Sequence, residues 1–165
     1  MPTKQFSLNG GDARARVEAA LIHLSSEDSK LGRRLLDAAV AGAVVARYPS
    51  DTLLRAEAAE AWNSIKPVIV HHLASEEEVV LPWAKMREDF PFDLILSAHE
   101  QHLRLRHLKE SVDAASFIIG TNEEVIKAGT ALTAFAVCFE DLIDGEERGL
   151  FPMVQRSLLA KNPGA

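Results

Sequence analysis

His71-His72-Leu73-Ala74-Ser75-Glu76-Glu77-Glu78-Val79-Val80-Leu81-Pro82-Trp83 reads as the end of a long amphipathic helix. Trp62, Ile65, Ile69, His72, Glu76, Val79 and Trp83 follow one another at alternating steps of three and four, the spacing of one buried stripe. Two members of that stripe are polar, and both are metal-binding residue types. Residues four apart on a helix lie on the same face one turn apart, so His72 and Glu76 are expected to point inward together. A buried polar group without a partner costs a few kcal/mol. Something in the interior must therefore satisfy this pair.

A second stretch aligns with the first on its proline. In Leu142-Ile143-Asp144-Gly145-Glu146-Glu147-Arg148-Gly149-Leu150-Phe151-Pro152, Glu146 stands as far before Pro152 as Glu76 does before Pro82. Another Glu follows each of them. Phe135, Phe139, Leu142, Glu146 and Gly149 form the later stripe and turn Glu146 inward. Two similar helical hairpins are implied. They differ at one place: Leu142 stands where the first copy has His72.

The remaining pattern is helical throughout. A loose lead-in is expected over residues 1–11, a single helical domain over 12–157, and a tail over 158–165. The first helix is expected from Asp12 to about Arg47, with Val17, Leu21, Leu24, Asp28, Leu31 and Leu35 on one stripe. Tyr48-Pro49-Ser50-Asp51 breaks the chain, and Ser50 or Asp51 caps a second helix from about Thr52 to Met86 that is kinked at Pro67. A third helix runs from about Pro91 to Ile119, with Ile95, His99, His102, Leu105, Leu108 and Val112 on its stripe. Gly120-Thr121-Asn122 stops it and caps a fourth, expected from about Glu123 to Phe151 with a short helical piece after Pro152. Strand alternation is absent. Four long helices with short connections predict an all-α, up-down-up-down four-helix bundle.

Composition narrows the function classes. The 165 residues are 47% hydrophobic and 25% charged, with a formal net charge of -6. That suits one globular domain and offers no basic patch for phosphates, so nucleic-acid binding is not expected. Met1 to Gly11 shows no secretory signal, and no run is long enough for a membrane span, so the expected address is cytoplasmic. The single Cys138 excludes an internal disulfide; it reads as a small core residue, with a reactive thiol as the minority view. Ser-His-Asp order, a phosphate loop and Cys-x-x-Cys are all missing. The question of an enzyme stays open, with binding favoured over catalysis.

The inward polar set is His72 and Glu76 from the second helix, His99 and His102 from the third, and Glu146 from the fourth. His23 or Asp28 represents the first. A mixed imidazole and carboxylate set suits iron, zinc or manganese. On these residues the chain resembles the hemerythrin-like (HHE cation-binding) family, a four-helix bundle around non-haem iron, usually two ions. His72, Glu76, Leu81 and Pro82 carry the second-helix motif, and Glu146, Leu150, Phe151 and Pro152 the fourth-helix motif. The sequence departs at Leu142, where the family has a ligand His.

The resemblance implies a metal set of His23, His72, Glu76, His99, His102 and Glu146. His99, His102 or both represent the third helix, and Asp28 stands as the alternative to His23. Leu142 leaves open whether two ions, one or none are held. The implied work is binding or sensing oxygen, nitric oxide, iron or redox state, the partner being a small diatomic ligand or a metal ion. The alternative is a metal-poor descendant serving as an interaction or regulatory module; an iron-dependent oxidase or iron-delivery protein is a third reading. Oligomeric state is left open.

Overall fold

The computed structural model describes residues 10–114 and 117–160, with positions 10, 29, 113 and 114 described by backbone alone. Helix α1 spans Gly10–Arg47, and α2 spans Thr52–Ser75. A π-helical turn, Glu76–Val80, joins α2 to α3 (Leu81–Lys85). Helix α4 spans Phe92–Ala114 and α5 spans Asn122–Gly145. A second π turn, Glu146–Leu150, leads into α6 (Phe151–Leu159). The molecule is a four-helix bundle whose rods are α1, α2–α3, α4 and α5–α6. Among the described residues there is no strand, and no helix is long and apolar enough to cross a membrane.

Local chemistry fixes the boundaries. Asp51 caps α2 by accepting from the amides of Leu53 (2.9 Å) and Leu54 (3.2 Å). Thr121 and Glu124 form a reciprocal capping box at the start of α5. Arg55 ties the two connections at this end together, donating to Pro49 O, Gly120 O and Asn122 Oδ1. The α-helix of α2 runs through Pro67 without a break. Gly10 and Gly11, expected in the lead-in, already belong to α1. The rest of the lead-in, residues 1–9, lies outside the described residues, as do positions 115–116 and the last five residues of the tail.

Helices α1 and α5 are in close contact at Gly42 and Gly129. A Cβ on Gly129 would stand 2.5 Å from Gly42 O, and one on Gly42 would stand 2.6 Å from Gly129 O. Only hydrogens fit there. Thr133 Oγ1 spans the same contact, donating to Ala39 O at 3.1 Å or to Gly129 O at 3.0 Å.

Both π turns begin at the inward glutamates. Proline has no N–H, and its ring clashes with the carbonyl four residues back, so a widened turn ahead of Pro82 and Pro152 relieves the conflict. The amides of Leu81 and Phe151 reach five residues back, to Glu76 O and Glu146 O. The extra residue in each turn rotates the helix beyond it. Val80 is buried where the regular stripe places Val79, and Leu150 is buried where it places Gly149.

The apolar core has two parts. One contains Leu31, Leu35, Ile65, Ile69, Leu105, Phe135, Phe139 and Leu142. The other contains Val17, Leu21, Leu24, Val80, Trp83, Ile95, Leu150 and Phe151. Along every rod the chain passes from one part to the other across a polar residue: Asp28 between Leu24 and Leu31, Glu76 between Leu73 and Val80, His102 between Ala98 and Leu105, Glu146 between Ile143 and Leu150.

Candidate metal centre

That polar layer is the centre of interest. His72, Glu76, Glu146, Asp28 and His102 are all buried, at 0, 0, 2, 5 and 1% exposure. His72 Nε2 lies 3.2 Å from Glu146 Oε2 and 3.8 Å from Glu76 Oε1. His102 Nε2 lies 2.7 Å from Glu76 Oε2. Ligand atoms of His72, Glu76 and Glu146 all fall within 4.8 Å of one another. Two imidazoles thus aim Nε2 at a pair of carboxylates.

A carboxylate also stands behind each imidazole. Asp28 Oδ1 is 3.3 Å from His72 Nδ1, though not aligned for a hydrogen bond. Glu77 Oε1 is 3.0 Å from His102 Nδ1, and Arg106 donates to the other Glu77 oxygen. Such backing fixes the ring tautomer and leaves Nε2 for a metal. The His72 ring packs edge-on against Phe139, 5.1 Å between centroids, and Phe139 stacks on Phe135. Leu142, fully buried, belongs to the apolar part that this wall closes.

The layer is electrostatically unbalanced. Burial first, then the charges of Glu147, Glu76 and Glu27, raise the Asp28 pKa to about 7. Burial and Glu76 push Glu146 well above the ordinary carboxyl range. Burial lowers the pKa of His72. Burial also acts to lower His102, but its hydrogen bonds and charge contacts with Glu76 and Glu77 outweigh that and raise it.

These residues fit a cation. Asp28 Oδ1 and Oδ2, His72 Nδ1, Glu76 Oε1 and Glu146 Oε1 are buried without a hydrogen-bond partner. Native interiors rarely leave so many polar atoms unpaired in one place. Burial and mutual repulsion raise both Asp28 and Glu146, and a cation among these carboxylates would relieve that repulsion. Imidazole nitrogen with carboxylate oxygen is a donor set for iron, zinc or manganese.

Two residues of the expected metal set lie elsewhere. His23 is exposed, because its neighbour Leu24 takes the inward position on α1 and Asp28 reaches the layer one turn on. His99 is exposed, because Ala98 takes the inward position on α4. Ala98 and His99 both stand three or four residues from Ile95 and from His102, so the α4 stripe alone does not separate them, whereas His23 lies off the α1 stripe. Asp28 carried a readable signal, its place in the α1 stripe. Glu77, the residue after Glu76, touches His102.

A helical bundle with a buried imidazole and carboxylate layer drawn from all four rods defines a class, the bundles built to hold a cation between facing helices. Residues 29–154 match the hemerythrin HHE cation binding domain, and the chain belongs to that family. No curated protein and no solved structure matches it.

Proposed function

We propose that this protein holds non-haem iron in the buried layer and uses it to bind or sense oxygen or nitric oxide. His72 Nε2, His102 Nε2, Glu76 and Glu146 hold the ion, and Asp28 and Glu77 orient the two imidazoles from behind. The observation that carries the reading is the set of partnerless buried donor atoms that separate rods bring together. Two imidazoles, with Leu142 rather than a third beside Glu146, favour one tightly held ion over two. Iron in such a site supplies an open coordination position and an accessible redox couple. Phe135, Phe139 and Leu142 keep water away from the His72 side, and a dry wall of this kind tunes ligand access and potential. Arg106 fixes Glu77, and Glu77 fixes the His102 ring.

The test is metal analysis and spectroscopy of untagged protein from iron-supplemented cells. About one iron per chain is expected, with a visible absorption that azide or nitric oxide changes and that His72→Ala abolishes. Fewer than one metal per chain, unchanged in His72→Ala, refutes the reading. A colourless protein whose melting ignores chelators would instead favour the interaction-module alternative, for which Leu142 speaks.

A further inference from the structure

Outside the buried layer, across the seam of α1 and α2, stands a second group of donors. His23 Nε2 lies 3.3 Å from Glu27 Oε1, and His71 Nδ1 lies 3.7 Å from Glu27 Oε2. The two rings meet edge to face with centroids 5.0 Å apart. Ligand atoms of all three residues fall within 4.8 Å of one another. The imidazoles are about half exposed, while Glu27 Oε2 is shielded from solvent and has no hydrogen-bond partner. Glu27 precedes Asp28 and His71 precedes His72, so the seam presents one donor of each adjacent pair inward and the other outward.

We propose that His23, Glu27 and His71 form a second metal site that takes a divalent first-row ion of the zinc class from solvent, separate from the buried centre. Two imidazoles and a carboxylate are a common zinc donor set, with water filling the fourth position. Tetrahedral donors about 2.0–2.2 Å from zinc stand roughly 3.3–3.6 Å from each other. The observed separations need only small side-chain rotations, and exposed imidazoles have room for them. The ordinary alternative, an i,i+4 ion pair with a stray cross-helix histidine, leaves the shielded Glu27 oxygen unexplained. Because this triad shares no residue with the buried layer, either site can be right without the other.

The test is calorimetric titration of untagged, metal-free, full-length protein with Zn2+, using wild type, the double variant His23→Ala/His71→Ala, Glu27→Gln and His72→Ala. Wild type is expected to take up one equivalent that the double variant does not, and Glu27→Gln to weaken that equivalent at least tenfold. His72→Ala retains it. Added Zn2+ is expected to shift the 15N signals of His23 Nε2 and His71 Nδ1. Equal stoichiometry in wild type and the double variant, or loss of the same equivalent in His72→Ala, overturns the proposal. If only the event that His72→Ala removes is missing, the buried centre fails and this site stands. His23 and His71 are half exposed, and circular dichroism of the double variant checks that its fold is intact.

Discussion

Stripped of metal, the protein should grow less stable as pH rises from 5 to 8, and Asp28 should contribute a separable part of the slope. Its carboxyl titrates near 3.8 when the chain is unfolded and at about 7 when it is folded. A group with a raised folded pKa binds its proton more tightly in the folded state. Its contribution is therefore fully present below 3.8 and is lost as pH climbs through 7. Between pH 5 and 8 the unfolded chain keeps Asp28 ionised while the folded chain releases the proton. That is worth roughly 2.5 kcal/mol at 1.36 kcal/mol per unit, reduced to about 1–2 kcal/mol by solvent screening. Glu146 and His102, also raised, tilt the curve the same way. His72, lowered, tilts it the other way, because it must stay neutral as pH falls. The groups that face Asp28 are Glu27 on its own helix, Glu76 and His72 on the second rod and Glu147 on the fourth. Comparison with Asp28→Asn isolates the Asp28 part. Urea unfolding of both proteins in chelator should show the stability difference moving in favour of Asp28→Asn by about 1–2 kcal/mol between pH 5 and pH 8. Saturating metal should flatten the wild-type curve, because the ion replaces the proton. Parallel pH profiles for the two metal-free proteins would refute the reasoning.

Leu142→His places an imidazole one turn before Glu146 at a fully buried position; it should destabilise the metal-free protein by about 2 kcal/mol or more and enlarge the thermal stabilisation by Zn2+, read by calorimetry. Glu77→Gln should weaken metal binding about 10–100-fold without unfolding the bundle, because His102 loses the charged acceptor behind it; competition with a chromogenic chelator measures it. Gly129→Ala drives a Cβ against the Gly42 carbonyl and should cost about 1–3 kcal/mol in urea unfolding. Val80→Ala should cost roughly 1.5–3 kcal/mol by loss of a fully buried side chain, clearly more than Val79→Ala; the reverse order would refute the π-turn register.

Much of this molecule is readable from residue spacing. The helical class follows from sustained steps of three and four, and the connections follow from Asp51 and Thr121. His72, Glu76 and Glu146 stand out because each interrupts an apolar stripe. Spacing cannot resolve a choice between neighbours one residue apart. His99 and Ala98 both fit between Ile95 and His102, and a rotation of about 100° separates a buried side chain from a solvated one. His23 attracts attention by its chemistry, yet Leu24 fits the stripe of α1 and Asp28 falls one turn further along it. The shift from Val79 to Val80 escapes any fixed period, because a π turn adds a residue without altering composition. Only the two prolines mark where the period changes.

The layer also bears on how the rods are aligned. Amphipathic helices with long apolar stripes can slide past one another by a turn or two and still bury leucine against leucine. Here such a slip would carry Asp28, Glu76 or Glu146 into one of the flanking apolar parts, away from the imidazoles and from any ion. Stranding a buried charge without its partner costs about 3–5 kcal/mol, a large share of a domain's net stability. The two apolar parts supply the driving force for folding and the polar layer selects the register. A divalent ion in the layer would add to a register that the polar residues already favour. It relieves a repulsion that the correctly aligned rods have already accepted, and its binding site exists because the alignment that forms it leaves the fewest charges in hydrocarbon.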